Sequence, residues 1–267
     1  VDLPGAPRLP EFNLFSGYLD GNNRTLAPIF YVLAEAIRVD PSTAPLVVWF
    51  NGGPGASSLT AFFKEHGPYR ITESGDTLTY NEFSWNQYCN VLYLESPLGV
   101  GFSQSSEGNI TLNDYDAAEI NLNALIDFMT RVHPNYADRD YYLTGQSYGG
   151  VFVPYLARRI LKGIEAQEME NANFKGFTIG NPVFESISMF LANLVSFYSY
   201  GLMPLSETEM ILAISLKYEM GEKLSEDEVY EIFSHLMSYL QYISWDSPPQ
   251  YNFIEHCYTN SEFEAYH

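Results

Sequence analysis

Short apolar runs recur along the first two thirds of the chain, and glycine, proline or small polar residues separate them. Runs of this kind predict β-strands, here over residues 12–18, 29–36, 46–50, 91–95, 141–143 and 174–179. Between some of these strands, apolar residues return every three to four positions and predict helices over 113–131, with Asn113 as N-cap, and over 151–161. Strands alternating with helices predict an α/β fold with a mostly parallel sheet, flanked by helices on both faces.

After residue 182 the pattern changes to helices without strands between them. The predicted helices are residues 185–201, 207–220 and 226–243. We therefore divide the chain into an α/β core over 1–182, a helical insertion over 183–245 and a tail over 246–267. A second helical domain with an unrelated role is the alternative interpretation of the middle part.

The sequence GQSYG at residues 145–149 stands between the predicted strand 141–143 and the predicted helix 151–161. A nucleophile elbow has this strand–turn–helix context, with a serine at its tip. The tight turn needs small residues two positions either side of the serine, because its backbone approaches neighbouring strands closely. The pattern predicts Ser147 as a nucleophile, although a serine between glycines in an ordinary loop fits the motif taken alone.

A glycine-rich loop, NGGPG at residues 51–55, follows the predicted strand 46–50. Acyl transfer from a serine needs two N–H donors for the developing oxyanion, commonly the one after the nucleophile and one from a loop after an earlier strand. Tyr148 and Gly53 are the candidates. A phosphate-binding loop is the competing interpretation, but no Gly-Lys-Ser/Thr follows and the chain is acidic.

Composition and charge narrow the classes of function. The chain has 267 residues, 46% of them hydrophobic and 16% aromatic, which suits a packed enzyme core. With 13 Lys and Arg against 33 Asp and Glu, the net charge of −20 argues against nucleic acid or an anionic membrane surface as a partner. No apolar run is long enough to span a membrane, and the opening VDLP is unlike a signal peptide, so we expect a mature, soluble protein.

Four sequence blocks together resemble the serine carboxypeptidase family, the group that contains carboxypeptidase Y and lysosomal cathepsin A. They are WFNGGPGASSL at 49–59, SWNQYCNVLYLESPLGVGFS at 84–103, LTGQSYGGVFVPYLA at 143–157 and FKGFTIGNP at 174–182. The resemblance implies an α/β-hydrolase fold in which the helical insertion caps the active site. It further implies an exopeptidase that releases C-terminal amino acids from peptides through an acyl-enzyme on Ser147, with no cofactor and no metal. An acyltransferase and an inactive binding or structural subunit are the alternatives.

The resemblance also implies a site for the terminal carboxylate of the peptide. The family positions match Asn51, Gly52, Glu65 and Gln146, and glutamine stands where the family has a second glutamate. Two glutamates facing a carboxylate must share a proton, which favours acidic conditions. An amide donates at any pH. We therefore predict that carboxylate binding weakens less toward neutral pH than in relatives with glutamate there; drift in a site no longer selective for carboxylates is the alternative.

The triad partners of Ser147 are the main gap. In α/β-hydrolases an acid and then a histidine follow the serine, and in the resembled family both lie beyond the insertion. None of the later histidines follows a further strand; they are His235, His256 and His267. We hypothesise that a second, small chain supplies the Asp and His, that Cys257 forms a disulfide with it and that the end at His267 arises by processing. The resemblance leaves a homodimer open as well.

Two further features concern the compartment. Asn23 and Asn109 each begin an Asn-x-Thr glycosylation sequon. Together with the compartments in which members of the resembled family occur, they indicate a secretory-pathway protein, either secreted or vacuolar/lysosomal. Cys89 lies at the start of an apolar run and is predicted to be a buried free thiol.

Overall fold

The computed structural model describes residues 3–7, 11–22, 27–72, 74–104, 111–169, 173–184 and 186–246. The chain consists of two compact units, Val1–Phe184 and Glu185–His267. Several predicted features lie outside the described residues and stay predictions: the sequons at Asn23 and Asn109, the disulfide of Cys257 and the tail over 246–267, of which only residue 246 is described.

A six-stranded mixed sheet forms the centre of the first unit. Its strands are β1 (Leu14–Asp20), β2 (Pro28–Ala34), β3 (Leu46–Phe50), β6 (Asn90–Leu94), β7 (Tyr141–Gln146) and β8 (Phe174–Gly180). They lie in the order β1-β2-β6-β3-β7-β8; β6, β3, β7 and β8 are parallel, while β1 and β2 are antiparallel at one edge. A separate hairpin pairs β4 (Tyr69–Ile71) with β5 (Leu78–Tyr80).

Three helices cover the sheet on both faces. They are α1 (Leu59–Lys64), α2 (Asp114–Asp127) and α3 (Gly149–Glu165). Because side chains alternate along a strand, Leu46, Val48 and Phe50 of β3 are buried with side chains of α2 and α3, whereas Trp49 is buried on the opposite face with Phe62 of α1. The predicted α/β class, with a mostly parallel sheet and helices on both faces, is confirmed.

Helix boundaries follow local chemistry. Asn113 caps α2, as predicted: its side chain accepts from the N–H of Asp116 (3.0 Å), and the Asp116 carboxylate accepts from the N–H of Asn113 (3.3 Å). The helix continues as a π-helical turn, Phe128–Val132, and ends before Pro134, which cannot continue a helix. The sequence patterns missed α1, β4 and β5, because such short elements show no clear periodicity.

The second unit is helical. Helices α4 (Ser186–Ser199), α5 (Leu205–Glu219) and α6 (Glu226–Asp246) occupy the three predicted helical stretches. Gly201 and Gly221, with φ of 72° and 78°, stand in the left-handed conformation just after α4 and α5. A small core buries Leu191, Leu194, Phe197, Met203, Ile211, Ile214, Leu224 and Ile232. Within the described part of the chain, none of the helices combines the length and the apolar character that crossing a membrane requires.

Candidate active site

Ser147 stands at the tip of a sharp turn between β7 and α3. Its φ is 57°, a left-handed conformation that a non-glycine residue adopts at a cost in free energy. Three backbone hydrogen bonds hold it: its N–H donates to the carbonyl of Gly180 (3.1 Å), and its own carbonyl accepts from the N–H groups of Gly150 (2.9 Å) and Val183 (2.8 Å). The predicted strand–turn–helix context of this serine is present.

The glycines on either side of Ser147 touch the neighbouring strand. A Cβ on Gly149 would stand 3.0 Å from the carbonyl oxygen of Phe50, at the end of β3. A Cβ on Gly145 would stand 3.1 Å from the same oxygen and 2.9 Å from a methyl group of Val153. Side chains at these positions would separate β7 and α3 from β3, which is the physical reason for the small residues of the motif.

The glycine-rich loop after β3 lies directly against the turn. A Cβ on Gly52 would stand 2.6 Å from the Cβ of Ser147 and 2.7 Å from the backbone nitrogen of Tyr148. Gly53 follows with φ of 112°, a conformation that favours glycine. Within the described residues, the N–H groups of Gly53 and Tyr148 donate to no acceptor. Two unengaged donors beside a serine suit stabilisation of an oxyanion.

Asn51 is buried at the start of this loop, and its amide is held in one orientation. The indole N–H of Trp49 donates to Asn51 Oδ1 at 2.6 Å, and the backbone N–H of Asn51 donates to Ser58 Oγ at 3.2 Å. Because this hydrogen bond holds the amide oxygen toward Trp49, the Nδ2 group on the other side of the amide is available to donate to a ligand. Such a group suits a carboxylate oxygen.

Glu65 and Gln146 complete the four predicted carboxylate-binding positions. Glu65 is the C-cap residue of α1 and is half-buried, and burial raises the pKa of its carboxyl group. Gln146 is the last residue of β7 and is half-buried as well. Neither side chain hydrogen-bonds another residue of the described ranges. Both polar groups therefore keep their hydrogen-bonding capacity.

The side chain of Tyr148 makes a contact that sequence patterns did not reveal. Its hydroxyl lies 3.2 and 3.3 Å from the two carboxylate oxygens of Asp114, and its ring packs edge-on against Phe152, with centroids 5.0 Å apart. Burial, and then the charge of Asp114, raise the pKa of Tyr148. Asp114 is in the first turn of α2, where an acidic residue is ordinarily explained by the helix dipole.

His66 is half-buried in the first unit, as a neutral aromatic residue. Its ring stacks on Trp85 at 4.1 Å, and its Nδ1 lies 3.2 Å from the hydroxyl of Tyr93. Burial lowers the pKa of His66 to about 4. This environment suits a structural histidine.

The other described histidines are also engaged within their own units. His133 Nε2 lies 2.9 Å from the hydroxyl of Tyr31, and His235 Nδ1 lies 2.9 Å from the carbonyl of Glu231 one helical turn earlier. The hydroxyl of Ser147 has no hydrogen-bond partner in the described ranges. The described residues therefore hold the serine and candidate oxyanion donors without a base beside them.

Cys89 and possible metal ligands add no further chemistry to the site. Cys89 is a free thiol, as predicted, but it is half-buried and not fully buried. Its partial burial raises the pKa of the thiol to about 11, so it stays protonated at neutral pH. Among the described residues, no three His, Cys, Asp or Glu side chains come together as a possible metal site.

Comparison with known proteins gives relatives of this chain. The model of the serine carboxypeptidase family, Peptidase_S10, matches residues 4–266. A serine carboxypeptidase of Caenorhabditis elegans is 45% identical over 68% of this chain and 35% of its own length. The lysosomal protective protein of Mus musculus is 41% identical over 67% of this chain and 36% of its own. This chain thus spans about a third of the length of these two curated relatives.

A solved structure has the same fold over most of the chain. The prohormone-processing carboxypeptidase Kex1 of Saccharomyces cerevisiae matches with a TM-score of 0.72 at 23% identity, over 89% of this chain and 54% of that one. At this identity the likeness shows the fold alone, which is the α/β-hydrolase fold. The family model, in contrast, matches nearly all residues of the chain. The chain belongs to the serine carboxypeptidase family.

Proposed function

We propose that this chain is the nucleophile-bearing part of an exopeptidase that releases C-terminal amino acids from peptides through an acyl-enzyme on Ser147. The observation that carries the proposal is the packing of Gly52 against Ser147 and Tyr148, with a Cβ position 2.6 Å from the Cβ of Ser147. This packing brings the glycine-rich loop and the serine together.

In the proposed reaction, Ser147 Oγ attacks the carbonyl carbon of the last peptide bond and loses its proton to a histidine. The oxyanion accepts hydrogen bonds from the N–H groups of Gly53 and Tyr148. The histidine then protonates the departing amine, and water hydrolyses the acyl-enzyme by the same route. Since the described histidines have other partners, we propose that a second, small chain supplies the triad His and Asp.

Selectivity for a free C-terminus is assigned to the carboxylate-binding positions. The Nδ2 of Asn51 and the N–H of Gly52 donate to the substrate carboxylate. Glu65, whose pKa is raised by burial, donates when protonated, and the Gln146 amide donates whatever the pH. The amides of Asn51 and Gln146, the protonated carboxyl group of Glu65 and the N–H of Gly52 thus offer four donors to the anionic carboxylate.

The cellular compartment is also part of the proposal, and its support comes from the relatives. One relative is named a lysosomal protein, and we propose a secretory route that ends outside the cell or in a lysosome or vacuole. Glycosylation at Asn23 and Asn109 and a disulfide from Cys257 to the small chain belong to the same proposal.

Reaction of the purified native protein with a fluorophosphonate tests the proposed nucleophile. Peptide mass analysis of every chain present would locate the label, and we expect one label per molecule on Ser147. The matched control is Ser147→Ala, which should remove the label. A protein with its small chain present that takes no label would contradict the catalytic proposal. Free amino acid released from a peptide, compared with ester formed in added alcohol, separates hydrolysis from acyl transfer.

A further inference from the structure

Glu95 is a buried carboxylate that the proposed chemistry does not use. It follows β6 directly and is 1% exposed. One carboxylate oxygen accepts a short hydrogen bond from the hydroxyl of Ser57, and the other accepts from the N–H of Phe102 at 2.6 Å. No lysine, arginine or histidine of the described residues forms an ion pair with it.

Residues 97–103 are folded around this carboxylate. A Cβ on Gly101 would overlap the carboxylate of Glu95, and Gly101 has φ of 53°. The hydroxyl of Ser103 donates to the backbone carbonyl of Glu95 at 2.6 Å and accepts from the N–H of Phe30 at 2.8 Å. The surroundings of Glu95 thus form a built site, in which a bulkier neighbour would not fit.

The partner Ser57 belongs to the glycine-rich segment that carries the candidate oxyanion donor. We call residues 51–58 the donor loop; a hydrogen bond from Ala56 N–H to Gly52 O (3.1 Å) closes it. Ser58 holds its beginning, since Ser58 Oγ accepts from the N–H of Asn51. Ser57 Oγ accepts from the N–H of Leu59 (3.0 Å) and donates to Glu95, so it ties the end of the loop to the neighbouring strand.

The cost of burying Glu95 indicates a specific role. A buried carboxylate without an ion pair is unfavourable unless hydrogen bonds compensate it. Here its two oxygens join two loops that lack regular structure, 51–58 and 97–103. Glycines in the donor loop favour many conformations, so an external tie reduces the set it can adopt.

We propose that Glu95 is a positioning residue, which fixes the donor loop through Ser57 and so aims the N–H of Gly53 at the oxyanion. The effect on catalysis rests on the function proposed above, whereas the effect on the loop does not. Glu95 acts through Ser57 and does not itself contact the substrate.

Amide hydrogen exchange with peptide-level mass analysis, on the native protein as purified, tests this inference. Glu95→Gln keeps the size but replaces one acceptor oxygen with a donor, and Ser57→Ala removes the tie from the other side. We expect exchange in peptides covering 51–58 to become about tenfold faster in each variant. Exchange in the double variant should be no faster than in the quicker single variant, because both changes remove the same hydrogen bond between Ser57 and Glu95.

Asn90→Ala is the matched control. Asn90 is equally buried at the opposite end of β6, where it accepts from Ala36 N–H (3.0 Å) and donates to the carbonyls of Pro41 and Ala44. This control should lower overall stability without selectively loosening the donor loop. Unchanged exchange of residues 51–58 in Ser57→Ala would overturn the inference, and so would equal selective loosening in the control. If Glu95→Gln does not fold, Ser57→Ala alone decides the matter.

A catalytic readout separates positioning from stability. In protein that reacts with fluorophosphonate at Ser147, Glu95→Gln and Ser57→Ala should each lower kcat about tenfold, with KM nearly unchanged, because the loop acts on the oxyanion and not on ground-state binding. Wild-type kcat in both variants would overturn the catalytic part. Should the unaltered protein, with its small chain present, take no label, the proposed function fails, while the exchange comparison still decides the role of Glu95 in the loop.

Discussion

The two units of this chain are built on different physical principles. In the first unit, backbone packs on backbone: Gly52 and Gly149 leave no space for a side chain near Ser147 and Phe50. In the second unit, side chains of three helices and of the turns between them form a small apolar core. Substitutions near Ser147 should therefore disturb chemistry, while those in the helical unit should act through stability.

Buried polar groups show the same contrast. The first unit buries Asn51, Asn90 and Glu95, each hydrogen-bonded to backbone or side-chain partners. In the second unit, Thr208 is buried, and its hydroxyl bonds back to the carbonyl of Pro204 one turn earlier. Buried polar networks specify a particular arrangement of loops, whereas a helical core needs little beyond apolar volume.

Gly52→Ala should show the largest effect and is the direct test of close backbone packing. The new Cβ would lie 2.7 Å from Gln146 O and from Tyr148 N, so the donor loop and the serine must separate. We expect the fluorophosphonate labelling rate of Ser147 to fall at least about hundredfold. Gly180→Ala is the control, because a Cβ there meets nothing within 4 Å. Equal labelling rates for Gly52→Ala and Gly180→Ala would contradict the role given to close backbone packing in the first unit.

Leu194→Ala tests the small core of the second unit. Leu194 is fully buried there, and the substitution should lower the free energy of unfolding by about 3 kcal/mol. In hydrogen exchange, peptides of α4 should lose protection, while those containing residues 145–149 keep it. Tyr230→Ser, on the exposed surface, should change stability little. A loss of protection spread evenly over both units would show that they unfold together.

His66 makes the first unit sensitive to acid. Its folded pKa, about 4, lies below its ordinary value of 6.5, so the unfolded state binds the proton more readily. Stability from this group is present above pH 6.5 and is lost as the pH falls toward 4, by at most about 3 kcal/mol. Urea unfolding at several pH values measures it. His66→Phe keeps an aromatic ring against Trp85 and should flatten this dependence; an unchanged slope would contradict the assignment.

Gln146→Glu addresses the difference between an amide and a carboxyl group beside Glu65. With a glutamate, the pair must hold a proton to accept a substrate carboxylate, so peptide binding should weaken about tenfold more between pH 5 and pH 7 than with glutamine. Calorimetric titration with a short peptide measures the change. The same peptide with an amidated C-terminus is the control and should show no added pH dependence. Identical pH profiles for the two proteins would contradict the role of Gln146.

The sequence by itself determined the elements and their class, because apolar periodicity and turn residues reflect burial within one strand or helix. The strand–turn–helix around Ser147 and the cap at Asn113 followed from such local rules. These rules missed short elements such as α1, because six residues show little periodicity.

Only the tertiary structure decided which distant groups meet. Glu95 meets Ser57 and Tyr148 meets Asp114 because β6, β3 and β7 are neighbours in the sheet and α2 packs beside α3. The sequence patterns placed Glu95 at the end of the predicted strand 91–95, but gave no sign of its partner, which lies 38 positions away. Local sequence patterns do not specify strand order or loop conformation; these depend on how the whole chain buries its apolar surface and satisfies its polar groups together.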